Sequence, residues 1–209
     1  YNSFEILPSI YLQTNIKIVE GEGTKNNPYQ LRKEEIALPA LATEVIQNTN
    51  LVNTGSGLYE VNHEDAEITS DLTEEQKANL KKTEYRYAGS NPNNYVEFND
   101  ELWRIIGLVN TPEGQRLKLV RDESIGRYSW DTSDININGG IGVNEWSQAD
   151  AMLLLNQGAY WNRTIGTCYN GQNNATTPCD LTATGLTEKA KTMIDNITWN
   201  IGSDAEESY

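Results

Sequence analysis

Two apolar runs joined by a two-residue turn constrain the fold of this chain more than any other feature. The first run covers residues 95–98 and the second covers residues 102–109. Asn99, Asp100 and Glu101 lie between them, and an Asn-Asp turn between apolar runs is typical of a tight β-hairpin. The run of residues 102–106 is apolar on both faces, which predicts a central strand with a neighbour on each side.

The segments around this hairpin predict an α+β protein with a mixed or antiparallel sheet and flanking helices. A third strand is predicted over residues 116–120, after a Pro-Glu-Gly turn. Thr73 and Gln76 have the spacing of a capping box, which favours a helix over residues 73–82. Further helices are predicted over residues 34–48 and 187–197 and after Ser147, the last with Ala149, Met152 and Leu153 on its buried face.

The first block of the chain predicts a strand that completes a sheet. Apolar residues alternate over residues 9–19, with a slip near Thr14, and one face carries Ile10, Leu12, Ile16 and Ile18. A block shorter than about 40 residues rarely supports a core of its own. Residues 1–31 should therefore pair with the strands of residues 93–120. The predicted organisation is a strand block over 1–31, a helix and surface arm over 32–84, and an α+β core over 85–209.

The charge balance argues against two classes of partner. The chain has 209 residues, with 30 acidic and 16 basic side chains and a formal net charge of −14. Such a surface repels phosphate backbones and anionic membrane surfaces, so we expect no nucleic-acid partner. No apolar run approaches the roughly 20 residues of a membrane-spanning helix.

The two cysteines predict the cellular compartment. Cys168 and Cys179 lie in a predicted irregular loop rich in Asn, Gly, Thr and Pro, where a local disulfide is the favoured interpretation. Two free thiols in a reducing compartment are the alternative. A zinc site would need four ligands, and the single histidine, His63, lies far away in the sequence. A disulfide favours an extracellular or cell-surface location.

Residues 134–145 have the oxygen-ligand spacing of a calcium-binding loop. Asp134, Asn136, Asn138 and Glu145 occupy positions one, three, five and twelve, and Gly139 occupies position six. No helix is predicted before the loop, as that motif requires. A Gly- and Asn-rich turn that leads into the next helix is the alternative, and no other cofactor is expected.

Aromatic side chains in the second half of the chain are candidate ligand contacts. Stacking on a sugar is one interpretation and ordinary packing is the other; the candidates are Tyr128, Trp130, Trp146 and Trp161. Loop acids such as Asp122, Glu123, Asp131 and Asp134 are expected to be solvated, and no nucleophile has a base beside it. We therefore predict a non-catalytic protein.

A family resemblance covers residues 85–203. The runs YRYAGSNPNNYVEFNDELWRIIGLVN, KLVRDESIGRYSWD and NEWSQADAMLLLN resemble a group of predicted surface proteins of gut Firmicutes, mostly of unknown function. Some members carry a prepilin-like N-terminal helix. The W-S-x-A-D-x-x-x-L-L-N pattern at residues 146–156 is also similar to domains expected to have a C-type-lectin-like fold.

The resemblance also includes a change of order. LPSIYLQTNIKIVEGEGTKNNPYQL, residues 7–31, resembles the carboxy-terminal ending of that family but comes first here. The chain either spans the end of one repeat and the start of the next, or carries its closing strand first. Such a strand would complete its own fold or that of a neighbouring repeat or subunit. The resemblance implies a structural or adhesive subunit that assembles by strand addition into a pilus-like filament. A lectin-like module for a glycan, a protein or a host surface is the alternative.

Overall fold

The computed structural model describes residues 3–35, 46–47, 49–68, 71–133, 142–143, 145–171 and 174–197. The chain divides into two compact units. We call them the sheet unit, Ser9–Val120 with Met193–Tyr209, and the disulfide unit, Tyr1–Pro8 with Arg121–Thr192. The predicted α+β class is confirmed, with more strand than helix.

The described residues form twelve strands: β1, Phe4–Glu5; β2, Ser9–Tyr11; β3, Ile16–Glu20; β4, Tyr29–Lys33; β5, Gly57–Val61; β6, Glu84–Ala88; β7, Tyr95–Phe98; β8, Glu101–Val109; β9, Arg116–Arg121; β10, Arg127–Tyr128; β11, Ile165–Tyr169; β12, Thr176–Asp180. The helices are short: α1, Glu74–Leu80; α2, Asp150–Asn156; α3, Ala159–Asn162; α4, Glu188–Lys191. A 3₁₀ turn covers Trp146–Gln148.

The sheet unit is built on one eight-stranded sheet. Its strand order is β2-β9-β8-β7-β4-β3, β6 also pairs with β8, and β5 pairs with β6. Strands β4 and β7 are parallel, whereas β2–β9 and β7–β8 are antiparallel, so the sheet is mixed. Strand β8 thus has the several neighbours that its apolar sequence predicts. Trp103, Ile105 and Leu108 on this strand are fully buried.

The hairpin between β7 and β8 has the predicted turn. Asn99 and Asp100 have φ angles of 61° and 63°, and Phe98 pairs with Glu101 across the turn. Positive φ at both central residues is the signature of a type I′ turn, whose twist matches that of the flanking strands. The rings of Phe98 and Trp103 meet edge-on, with centroids 5.1 Å apart.

Residues 9–19 form two strands, and the chain turns where the sequence pattern slips. Strand β2 pairs with β9, while β3 forms a hairpin with β4. Asn15, in the turn, is fixed by its side-chain amide, which donates to the carbonyl of Glu34 at 2.9 Å. The sequence predicts one strand here, but the structure has two. Strand β2 lies at one end of the strand order and β3 at the other, so the apolar residues of this block are divided between the two ends of the sheet.

Within the predicted helix and surface arm over residues 32–84, β5 is a strand that the sequence does not predict. Strand β5 pairs with β6 in an antiparallel register, and Leu58 is buried. The predicted helix in this arm is present as α1. Its capping box is formed by Thr73 and Gln76, each of whose side chains bonds the other's backbone N–H. The predicted helix over 34–48 lies largely outside the described residues.

A buried carboxylate joins the strands of the sheet unit near the end of β8. Glu84 is 4% exposed, and it accepts the backbone N–H of Asn110 at 2.6 Å. The guanidinium of Arg86 donates to the same carboxylate at 2.6 Å, and Nε2 of His63 lies 3.2 Å from it. The charge is therefore buried with partners on several sides.

The disulfide unit combines two small antiparallel sheets with short helices. Strand β1 pairs with β10, and β11 pairs with β12. In α2 the buried side chains are Ala151 and Leu154. The predicted buried face is thus correct for Ala149, at the N-cap, but wrong for Met152 and Leu153, which are half-buried.

The last predicted helix is much shorter than the pattern over residues 187–197 indicates. Helix α4 ends at Lys191. Beyond it the backbone pairs as a strand, because Ile194 forms a bridge with Leu12 and the carbonyl of Met193 accepts the N–H of Gln13 at 2.9 Å. Tertiary pairing here overrides the helical spacing of the apolar residues.

Candidate functional site

The predicted disulfide is present in the disulfide unit. The sulfur atoms of Cys168 and Cys179 are bonded, with the two Cα atoms 5.8 Å apart. The cysteines lie on the paired strands β11 and β12 rather than in a loop, which corrects the expectation of an irregular segment. Cys168 is fully buried. The bridge therefore cross-links a hairpin whose strands include Gly166, Pro178 and Asp180, residue types that favour strands weakly.

Trp130 and Trp146 are predicted ligand aromatics that the structure brings together. Their ring centroids are 5.2 Å apart and their planes are tilted by 46°. Trp130 is 39% exposed, and Trp146 is half-buried. An exposed indole supported by a second one offers a broad apolar surface with N–H donors at its edge. We call these two residues the tryptophan pair.

Both members of the tryptophan pair are attached to the start of α2. The carbonyl of Trp130 accepts the N–H of Ala151 at 2.9 Å, and the carbonyl of Trp146 accepts the N–H of Ala149 at 3.1 Å. The helix has Ala149 at its N-cap, a residue without a side-chain acceptor. The sequence predicts Ser147 and Asp150 as the capping pair, but Ser147 lies inside the 3₁₀ turn.

Asp131 and Asp150 supply the missing cap through a reciprocal pair of contacts. Oδ1 of Asp131 accepts the N–H of Asp150 at 3.3 Å. Oδ2 of Asp150 in turn accepts the N–H of Thr132 at 2.7 Å and its hydroxyl at 2.6 Å. We call this arrangement the aspartate clasp. It joins the residues after Trp130 to the first turn of α2, where a negative charge also interacts favourably with the helix dipole.

The second oxygen of Asp131 holds residues on both sides of the segment 134–141. Oδ2 accepts the N–H of Val143 at 2.8 Å and the hydroxyl of Ser133. Asp131 is only 6% exposed. Burial opposes ionisation of this carboxyl, but the hydrogen bonds from Ser133, Val143 and Asp150 outweigh it and hold its pKa below the ordinary value.

The β11–β12 hairpin and the residues after β11 are bonded to residues 129–132. The N–H of Ser129 donates to the carbonyl of Tyr169 at 3.0 Å, and the hydroxyl of Ser129 accepts the N–H of Gly171 at 2.9 Å. The N–H of Asn174 donates to the carbonyl of Thr132 at 2.6 Å. The backbone on either side of Trp130 is thereby bonded to the disulfide hairpin.

Three of the predicted calcium ligands, Asp134, Asn136 and Asn138, lie outside the described residues. The fourth, Glu145, has a structural role, because its carboxylate accepts the hydroxyl of Ser147 at 3.0 Å and caps the 3₁₀ turn. Within the part of the chain that the structure describes, no three His, Cys, Asp or Glu side chains are grouped to hold a metal ion.

The remaining predicted aromatics have other neighbours. Tyr128 pairs with Phe4 in β10–β1, and its hydroxyl donates to the carbonyl of Ile125 at 3.4 Å. Trp161 lies in α3, with Nζ of Lys191 5.5 Å from its ring centroid. The tryptophan pair is therefore the candidate ligand-binding surface.

The predicted assembly residues Ile10, Leu12, Ile16 and Ile18 are all buried in the sheet unit. Ile10 pairs with Leu119 on β9. On its other edge the strand is also bonded, because the N–H of Asp195 donates to the carbonyl of Tyr11 at 2.8 Å. In this chain the segment completes its own sheet.

The aspartate clasp is the part of the site that sequence reasoning missed. Asp131 was expected to be a solvated loop acid, and the structure shows a buried one. One weak sequence signal points to this contact. The N-cap residue of α2, Ala149, has no side-chain acceptor. The free N–H groups of the first turn therefore need an acceptor from another part of the chain.

None of the described helices has the length and apolarity that a membrane crossing requires. No protein-family model, no curated protein and no solved structure matches this chain.

Proposed function

We propose that this chain is a non-catalytic module of an extracellular bacterial surface protein, with a structural or adhesive role and assembly through strand pairing of residues 9–19. The resemblance of residues 85–203 to surface proteins of gut Firmicutes supports the class. The disulfide supports the compartment, since such bonds persist where the environment is oxidising. Steady turnover in a broad hydrolase screen, abolished by one carboxylate substitution, would contradict the proposal.

The observation that carries the assembly proposal is the insertion of β2 between two bonded neighbours. On one edge, Tyr11 pairs with Lys118, whose Nζ lies 5.1 Å from the centroid of the tyrosine ring. On the other edge, Gln13 donates to the carbonyl of Met193 at 2.9 Å. Burial raises the pKa of Tyr11 to about 12, as expected for a phenol enclosed by a sheet.

Such a strand supports assembly because identical pairing is available between chains. If β2 of one copy occupies the place next to β9 of a neighbour, every side-chain contact of the closed form is reproduced. Only the turn around Thr14 has to open. The closed and exchanged forms then differ mainly in hinge strain and association entropy, and a neighbouring repeat or subunit would shift the balance.

A pair of cysteines placed across β2 and β9 tests this assembly. Ile10→Cys with Leu119→Cys replaces two residues in direct register. We expect oxidation of concentrated or native material to give ladders of linked chains on non-reducing gels. The matched control is Glu97→Cys with Leu102→Cys, in register across the β7–β8 hairpin, which should link only within one chain. Linkage of the first pair within single chains alone, at every concentration, would refute assembly by strand exchange.

The tryptophan pair supports a second candidate, a lectin-like module that binds a carbohydrate or a host surface protein. In this proposal the fold would be C-type-lectin-like, and calcium at residues 134–145 would contribute to binding. The supporting observation is the partly exposed Trp130 packed on Trp146 at 5.2 Å. Aromatic faces of this kind stack on the C–H groups of sugar rings.

A glycan array with and without calcium tests this second candidate. Trp130→Ala should weaken binding of any recognised glycan by about tenfold or more, since truncation of a hot-spot tryptophan in an interface typically costs about 2 kcal/mol or more. Ile165→Ala is the matched control, because Ile165 is a 70% exposed apolar residue of the same unit. Equal loss in both variants, or no binding by the wild-type protein, would contradict a glycan site at the tryptophan pair.

A further inference from the structure

Asp131, a buried acid of the disulfide unit, has no role in either proposed function as stated so far. Asp131 is buried, yet its carboxylate accepts hydrogen bonds from three other residues: Ser133, Val143 and Asp150. It directly follows Trp130, and Asp150 comes four residues after Trp146. The hydrogen bonds of the Asp131 side chain therefore fix backbone close to both Trp130 and Trp146.

We propose that Asp131 is a positioning residue for the tryptophan pair, and that the surface offered to a ligand depends on the aspartate clasp. The proposal rests on the second candidate function, because it concerns the same site. It adds a residue that need not touch the ligand and that controls whether the two rings lie together.

The first step of the argument concerns how the two indoles are held. Trp130 and Trp146 are 16 positions apart in the sequence, and the backbone carbonyls of both are bonded to residues at the start of α2. The direct backbone bond there, from Ala151 to Trp130, is supported on each side by an aspartate contact. Loss of the clasp would remove the aspartate contacts on either side of the bond between Ala151 and Trp130.

The second step concerns the alternatives for Asp131. The position needs acceptors in two directions: Oδ1 faces the N–H of Asp150, and Oδ2 faces the N–H of Val143 at 2.8 Å. An asparagine keeps one acceptor but turns an N–H₂ group toward one of these donors. Bonds from backbone N–H to a carboxylate are stronger than those to an amide. Asp131→Asn therefore changes the contacts while keeping the volume.

The third step concerns the charges that face Asp131. The carboxylate of Asp150 lies on the facing helix, where it bonds Thr132. That charge in turn raises the pKa of Tyr169 on β11, after the larger effect of burial. Among the described residues, the donors to Asp131 are the hydroxyl of Ser133 and the backbone N–H groups of Val143 and Asp150, and none of them is a cation. The dipoles of these donors stabilise its ionised form.

The experiment compares Asp131→Asn with the wild-type protein in the absence of any ligand. Two indoles 5.2 Å apart couple electronically, so the wild type should show an exciton couplet in circular dichroism, lost in Trp130→Phe. We expect Asp131→Asn to lose most of this couplet while the far-ultraviolet spectrum is kept. Asp180→Asn is the matched control, since Asp180 bonds Thr182 in the same way at the far end of β12.

A retained couplet in Asp131→Asn would overturn the proposal. If that variant fails to fold, Thr132→Val decides, because it removes the hydroxyl that donates to Asp150 in the clasp while keeping the size of the side chain; an unchanged couplet there would equally overturn the proposal. In parallel, binding of any array-positive glycan should fall about tenfold in Asp131→Asn. Absence of glycan binding by the wild type counts against the second candidate function alone, because the couplet tests the clasp without a ligand.

Discussion

At the scale of single residues, two buried carboxylates organise the described parts of the protein. Glu84 in the sheet unit and Asp131 in the disulfide unit are each less than 10% exposed, at 4% and 6%. Both accept backbone N–H groups that no strand or helix partner satisfies. Buried charge is tolerated only when it is fully hydrogen-bonded, so both side chains should be sensitive to conservative substitution.

Removal of the Glu84 carboxylate should destabilise the sheet unit. Glu84→Ala leaves the N–H of Asn110 without its acceptor at 2.6 Å and the guanidinium of Arg86 without its charge partner. We expect a loss of about 2–3 kcal/mol in the free energy of unfolding, measured by denaturant titration. Glu74→Ala is the control, because the Glu74 side chain is 91% exposed and its ion pair with Lys77 lies at the surface. A change of similar size in both variants would show that the buried network contributes little.

Asp131 should give the protein a stability component that is lost in acid. Its folded pKa is depressed, so the contribution is fully present above the unfolded value of about 3.9 and disappears as pH falls through the folded pKa. The difference in unfolding free energy between the wild type and Asp131→Asn should stay constant from neutral pH down to about 5 and shrink below about 4. Denaturation curves across this range measure it. A difference that does not vary with pH would show that the charge is irrelevant.

At the scale of elements, the sequence predicts turns and caps that depend on neighbouring residues, but it does not predict contacts between residues that are far apart in the chain. The turn at Asn99 and the capping box at Thr73 depend on neighbours within a few residues, and both are present. Strand β5 lies in a polar stretch with one fully buried side chain, Leu58, so its strand character comes from pairing with β6. The aspartate clasp joins residues 19 positions apart, and no local sequence pattern predicts such a contact.

The β11–β12 hairpin should depend on its disulfide. The bridge closes a sequence separation of 11, for which the chain-entropy model gives about 3 kcal/mol. Cys168→Ala with Cys179→Ala should therefore lower the unfolding free energy of the disulfide unit by about that amount. Because the hairpin tip bonds Ser129 and Thr132, the indole couplet should weaken as well. A protein with unchanged stability and spectrum after removal of both thiols would show that strand pairing alone holds the hairpin.

At the scale of the whole molecule, net charge selects among ligands. The formal charge of −14 produces a field that repels anions over the Debye length. Close to the tryptophan pair, Asp131, Glu145 and Asp150 add local negative charge. A glycan recognised at this surface is therefore expected to be neutral or to carry amino groups, and sulfated or carboxylated glycans should be disfavoured.

Salt dependence makes this selectivity measurable. At about 10 mM salt the Debye length is about 30 Å, and at about 150 mM it is about 8 Å. Binding of a neutral glycan should be nearly equal at the two concentrations, because stacking on Trp130 involves no charge. An amino-sugar polymer should bind more tightly at low salt, and a sulfated polymer should bind weakly at both and most weakly at low salt. Titrations with three polymers of matched length separate these cases. Preference for the sulfated polymer at low salt would place the binding surface away from the tryptophan pair, on a locally cationic region of the chain.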